Sequence, residues 1–274
     1  MFHYRQITRR LLPATLCTLL AACQEGPPRN DTDGAQGNSP ATEATAQANS
    51  AVAQQLDLAD QRDFEEARRG LIATPQALQV QMADGQVIWD MPAYDFIEGE
   101  APDSVNPSLW RQAMLNNIHG LFEVVPGIYQ LRGFDLSNMS IIQGESGWIV
   151  VDPLTTKETA QAAMDFARAH LGDNPVSAII FTHSHIDHFG GVLSVLAGGK
   201  DIEIIAPEGF MEEATSENVL AGTTMSRRSM FMYGSQLERS ARGHVGSGLG
   251  KSPAMGSPGI AAPTRIVDTT GERI

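Results

Sequence analysis

The apolar run Ser177-Ala178-Ile179-Ile180-Phe181 leads straight into Thr182-His183-Ser184-His185-Ile186-Asp187-His188-Phe189-Gly190-Gly191. Three of the protein's seven histidines and one aspartate fall within six residues. A buried strand cannot hold polar groups at that density, so it must end where the histidines begin and present them at its carboxyl end. Imidazole and carboxylate together suit a divalent ion of borderline hardness such as Zn²⁺.

The spacing carries further information. His183 and His185 are two residues apart, so in extended backbone both project to one side. Asp187 continues that alternation and His188 breaks it. One loop can then offer a His pair to one metal and an Asp/His pair to a second. Two ions about 3.5–4 Å apart can bridge a water, lower its pKa and stabilise a developing oxyanion. Gly190 and Gly191 are expected to let the chain turn sharply into a following helix.

The N-terminus has the form of a targeting segment. Arg5, Arg9 and Arg10 precede the apolar stretch Leu11–Leu20, and Leu20-Ala21-Ala22-Cys23 closes it. Basic n-region, short apolar h-region and small-residue exit predict a signal peptide over residues 1–22. The closing tetrapeptide resembles a bacterial lipobox, which implies lipidation of Cys23 and a protein exported to the periplasm and held at the membrane by that anchor alone. Arg9-Arg10 is also a partial twin-arginine match. Cys17 and Cys23 are the two cysteines of the chain, so the mature protein is expected to have no disulfide. The formal charge of −13 becomes −16 without residues 1–22, which repels nucleic acid and anionic lipid. Residues 23–55 are rich in Ala, Gln, Asn, Thr, Ser, Gly and Pro and read as a flexible tether after the lipidated cysteine.

A globular pattern begins at about residue 56. Asp60 is a candidate cap for a helix carrying Phe64, Ala67, Leu71 and Ile72 on one face. Gln86–Trp89 reads as a short strand, and Asn106-Pro107-Ser108 as a helix start. Asn138–Gln143 and Trp148–Val151 flank Gly144-Glu145-Ser146-Gly147 as a hairpin. Thr155 with Glu158 forms a capping box for a helix to about Leu171, with Gly172 as its stop. Asp201–Ala206 is a further strand. Strands alternating with helices define an α/β layered body with ligands at strand ends.

The remaining candidates have ordinary explanations. His119, His170 and His244 are expected at helix ends or turns rather than at a metal. Gly246–Ser252 ends Gly-Lys-Ser but lacks the first glycine of a phosphate loop, has Pro253 where a helix should start, and is expected to be a mobile loop. Arg227 and Arg228 are either surface arginines or a bidentate anion clamp. Asp152, where a strand ends, is either a turn residue before Pro153 or a carboxylate that orients the imidazoles from outside the ligand set.

The H-x-H-x-D-H loop resembles the metal-binding signature of the metallo-β-lactamase-fold hydrolases. That implies an αββα sandwich but no particular substrate. Six further segments are similar to the linear primary alkyl sulfatases: Tyr94–Ile97, Asn106–Gln112, Asn117–Phe122, Gly133–Met139, Ala206–Phe210 and Ser216–Gly222, with Met232-Tyr233-Gly234 beyond. The resemblance runs in register from about Asp63 to Gly250. It implies two zinc ions, His183 and His185 on one and Asp187 and His188 on the other. It also implies Asp187 as a catalytic residue, a bridging hydroxide, and hydrolysis of an amphiphilic primary sulfate ester to alcohol and inorganic sulfate. In the full-length family form it implies a homodimer. Family members continue with further metal-binding glutamates and a histidine. Residues 56–274 are therefore expected to be the N-terminal half of a catalytic domain. Glu203, Glu208, Glu212, Glu213 and Glu217 lie too early to replace those ligands. The alternatives are another hydrolase of the same fold, and a non-catalytic lipoprotein fragment with an incomplete metal site.

Overall fold

The order of strands follows from where apolar and turn residues fall between Leu71 and Val267. In a computed structural model, which describes residues 38–197, 199 and 201–273, eight strands form one mixed sheet. They are β1 Leu71–Ala73, β4 Gly120–Val125, β5 Ile128–Arg132, β6 Met139–Gln143, β7 Trp148–Val151, β8 Val176–Ile180, β9 Glu203–Pro207 and β10 Arg265–Val267, neighbours in that order. The half from β1 to β7 is antiparallel, and β7 through β10 run parallel. β2 Gln79–Gln81 and β3 Val87–Asp90 make a separate two-stranded ribbon. The protein is of the α/β class, and this sheet is the scaffold that positions the histidine loop.

The core lies on the face covered by α4, Lys157–Leu171. Leu131, Met139, Ile141, Trp148, Val150 and Ile179 are fully or almost fully buried, as are Ala160, Ala163, Met164 and Ala167 of the helix. Alanines at that spacing bring the helix axis close to the sheet. Each large side chain buried there contributes about 1.5–3 kcal/mol. The parallel crossover β7–α4–β8 places the carboxyl ends of both strands on one edge, where Asp152 and the histidine loop emerge. Asp135 is buried beneath α4 and accepts from Thr155 N, Thr155 Oγ1 and Thr159 Oγ1, fixing the β7–α4 corner.

Several sequence expectations shift. The stretch read as tether contains α1, Glu43–Ala53. Thr42 caps it, its hydroxyl accepting from Thr45 N, and the Asn49 amide donates to Asp103 O at 2.7 Å. Low hydropathy there reflects alanine-rich helix rather than disorder. The helix after Asp60 is α2, Arg62–Arg68, and it stops before Leu71 because Gly70 turns the chain at φ 75° into β1. Thr156 rather than Thr155 caps α4, accepting from Thr159 N, while the Glu158 carboxylate accepts from Ser257 N. Gly190 and Gly191 do turn the chain into the following helix as expected, at a place where a side chain would clash. A Cβ on Gly190 would stand 2.0 Å from Thr155 O, and one on Gly191 2.1 Å from Pro153 O.

Three more helices follow the histidine loop: α5 Val192–Leu196, α6 Phe210–Thr215 and α7 Gly222–Tyr233. The π-helical turn Ser216–Leu220 joins the last two. No side chain of α7 is buried, and Val219, Leu220 and Phe231 are exposed. Among the described residues no helix is long and apolar enough to cross a membrane. The predicted signal segment 1–22 and Cys23 lie outside the described residues.

Candidate metal centre

β8 ends at Ile180, and the next eight residues form the site. The backbone bends over Thr182–Ser184, is extended at His185, then closes a 3₁₀ turn over Ile186–His188, with His188 N donating to His185 O at 3.0 Å. The strand alternation expected to reach Asp187 is therefore broken by those bends and the turn. The turn folds His188 back over His183. The ring centroids are 4.1 Å apart for His183 and His188, and 4.7 Å for His183 and His185. All three imidazoles form one cluster. Ser137 Oγ, in the loop between β5 and β6, donates to the Asp187 carbonyl and pins the turn.

Asp152 organises the cluster from behind. It follows β7 at φ 55°, a left-handed backbone that aspartate tolerates better than most residues. One carboxylate oxygen accepts from Thr182 N at 2.8 Å. The other accepts from Thr182 Oγ1 at 2.7 Å and from His188 Nδ1 at 2.9 Å. Because the Thr182 hydroxyl gives its proton to Asp152, its lone pair receives Nδ1–H of His183, 2.9 Å away. One carboxylate thus sets two imidazoles, His188 directly and His183 through Thr182, and leaves Nε2 of each turned away from it.

Those nitrogens have partners at metal-sharing distances. His183 Nε2 lies 3.0 Å from His185 Nδ1, and His188 Nε2 lies 3.3 Å from Asp187 Oδ2. Two ligands on one tetrahedral zinc, with bonds of about 2.0–2.1 Å, stand roughly 3.3 Å apart. The pairing His183/His185 and Asp187/His188 fits a divalent cation in donor type and in separation. In number it is half a site: among the described residues, no three His, Cys, Asp or Glu side chains converge as a metal would require.

The electrostatics agree with that chemistry. Burial opposes charge on His188, but the bonds to Asp152 and Asp187 outweigh it and raise its pKa to about 9. Burial likewise opposes ionisation of Asp187, and His188 beside it brings the net pKa below the ordinary carboxylate value. His183 is pushed down by burial and by the other two imidazoles. Tyr233, at the end of α7, is raised by burial and by the charge on Asp187.

The other candidates lie elsewhere. His119 Nδ1 pairs with Asn117 O at 2.7 Å and His170 Nδ1 with Phe166 O at 2.8 Å. His244 is buried, its Nδ1 3.0 Å from Tyr94 Oη. Lys251, in the stretch expected to be a mobile loop, is buried: Nζ donates to Ala113 O and sits 4.4 Å from the centroid of the Tyr94 ring. Arg227 and Arg228 are exposed on α7. The neighbour that sequence reasoning did not foresee is Glu217, which it set aside only as lying too early to be a metal ligand. Its Oε2 comes within 3.9 Å of His185 Nε2 from the π-helical turn. The only signal available was its place in the segment Ser216–Gly222.

Comparison with known proteins gives this geometry a lineage. The signature of the metallo-beta-lactamase superfamily matches residues 132–247, from β5 past α7. The chain belongs to that superfamily.

Within it, the chain falls on the alkylsulfatase branch. It is 49% identical over 240 residues to a linear primary-alkylsulfatase of a Pseudomonas species, covering 85% of this chain and 36% of that protein. It is 44% identical over 276 residues to an (R)-specific secondary-alkylsulfatase of Pseudomonas, covering 98% of this chain and 40% of the relative. A solved structure of a stereoselective inverting sec-alkylsulfatase from Pseudomonas superposes with a TM-score of 0.82 at 47% identity, over 86% of this chain and 38% of that one. The chain thus spans well under half the length of the relatives it matches.

Proposed function

We propose that this chain carries one half of a two-zinc centre that hydrolyses primary alkyl sulfate esters to alcohol and sulfate. The observation that carries the reading is the imidazole cluster at the ends of β7 and β8, two of its rings set by Asp152 so that their Nε2 atoms face His185 and Asp187. His183 and His185 would hold one ion, Asp187 and His188 the other. Bound there, divalent cations would supply a water of lowered pKa and neutralise the charge on the sulfate.

The chain's own residues also suit an amphiphile. Glu217 brings the π-helical turn to within 3.9 Å of His185, and that turn and the α7 helix after it expose apolar side chains, Val219, Leu220, Phe231 and Met232. A sulfate headgroup at the imidazoles would leave its alkyl tail along that surface. With a net charge of −13 the protein offers no long-range attraction to an anion, so the headgroup depends on local positive charge. Primary esters are favoured by the 49% identity with the linear primary enzyme.

The test is a chimera in which this chain replaces the matching 240 residues of that relative. It is expected to release sulfate from dodecyl sulfate faster than from 2-octyl sulfate, and to lose both activities with His183→Ala. A folded, metal-loaded chimera that spares both esters would overturn the reading, and faster cleavage of the secondary ester would move it to that substrate. The N-terminal segment further supports export and lipid attachment. Fatty-acid labelling of the wild type and its loss in Cys23→Ser check this.

A further inference from the structure

His185 is the odd member of the cluster. His188 and His183 have their Nδ1 atoms committed, directly or through Thr182, to Asp152. His185 is reversed: its Nδ1 faces His183 Nε2 at 3.0 Å, so with a cation shared between those two nitrogens its proton would stand on Nε2. Asp152 holds the other two rings and makes no bond to this one. The side chain of His185 is 61% exposed, more than twice the 24% of His188, so packing constrains it least.

The carboxylate that faces His185 Nε2 is Glu217. Its Oε2 is 3.9 Å away, within ion-pair reach, and its side chain is 29% exposed. The backbone that carries it is the π-helical turn Ser216–Leu220, anchored by Ala221 N donating to Ser216 O and by the Asn218 amide donating to Ala214 O at 2.9 Å. A π turn widens the helix by a residue and re-aims its side chains, a feature found often at functional sites. Here it interrupts the run from α6 to α7 at the residue that reaches the histidine loop.

We infer that Glu217 is the positioning residue for His185: it accepts the Nε2 proton, fixes the tautomer and orients the ring so that Nδ1 is the metal donor. It does for His185 what Asp152 does for His188, from another element and through the other ring nitrogen. The site is therefore braced by two carboxylates on separate elements, the β7 end and the α6–α7 turn. Glu217 is not a metal ligand in this assignment, which rests on the two-metal reading above.

Zinc titration of the isotope-labelled chain at pH 8, followed through the imidazole nitrogen and proton resonances, tests it. The wild type is expected to show a slowly exchanging Nε2–H on His185 when zinc is bound. Glu217→Ala is expected to lose that resonance and to weaken zinc binding about 10-fold, the low end of what removing such a partner costs. Glu217→Gln, which keeps an acceptor oxygen, should retain the resonance and most of the affinity. Glu213→Ala, on an exposed position of α6, should change neither. If folded Glu217→Ala binds zinc as the wild type does, with the His185 proton still protected, the role of Glu217 is overturned. A wild-type chain that takes up no zinc at all would instead overturn the two-metal reading, and this inference with it.

Discussion

Asp152 Oδ2 accepts from His188 Nδ1 at 2.9 Å, although the two residues are 36 apart in sequence and on different strands' ends. The carboxylate is held in turn by both donors of Thr182, so the imidazole is aimed by a partner that cannot itself swing away. Asp152→Asn keeps the shape and the tolerance for left-handed backbone but loses the charge. It is expected to weaken divalent-metal binding about 10–100-fold, with the folded state retained. Calorimetric titration with zinc, beside a thermal melt, measures both.

Metal binding should depend on pH through His188. A pKa of about 9 means that the metal-free cluster keeps a proton on this ring through neutrality, and a cation must displace it. Apparent zinc affinity is expected to climb as pH rises towards 9, with proton release on binding. In Asp152→Asn the climb should level off at lower pH, since one of the two carboxylates that raise the pKa is gone. Titrations in two buffers of different ionisation enthalpy count the protons.

Gly191 tests how closely the loop must sit against α4. A methyl there would meet Pro153 O at 2.1 Å, Ala160 Cβ at 2.5 Å and Thr156 O at 2.7 Å, none of them a flexible side-chain end. Gly191→Ala should destabilise the fold by about 1–3 kcal/mol or more, the cost of overpacking, and loosen the turn that holds Asp187. Denaturant unfolding reads the first effect and zinc titration the second.

Lys251 gives stability a pH signature away from the metal centre. Burial lowers its pKa from 10.5 to about 7. Between those values the unfolded chain binds the proton more than the folded chain does, so this group's contribution to stability rises with pH from about 7 towards 10.5. Lys251→Met should remove that rise. The difference between wild-type and variant unfolding curves across the window isolates it from His188, whose raised pKa makes its contribution fall as pH goes from 6.5 through about 9.

Much of this was legible in the sequence because it is local. The strand before the loop, the hairpin β6–β7, the cap at Asn106 and the stop at Gly172 each depend on a few neighbouring residues. The loop's metal chemistry is local too, since four ligand-type side chains lie within six positions. Where local signals competed, the reading failed. Thr155 and Thr156 are both fit to cap α4, and Asp135, distant in sequence, takes Thr155 for the corner. Alanine-rich polar sequence reads as tether until Thr42 and Asp103 show α1 capped and held.

What the sequence determined by itself was the kind of chemistry: histidine and carboxylate at a strand end, a divalent ion, and an α/β frame to carry them. Only the tertiary structure decided the arrangement. The 3₁₀ turn set His188 over His183, Asp152 was brought 36 residues to brace both, and Glu217 arrived from a π turn to face His185. The physical reason is range. Ligand type is a property of single side chains, while the direction of each imidazole is fixed by hydrogen bonds to groups far along the chain, which meet only when the sheet has formed.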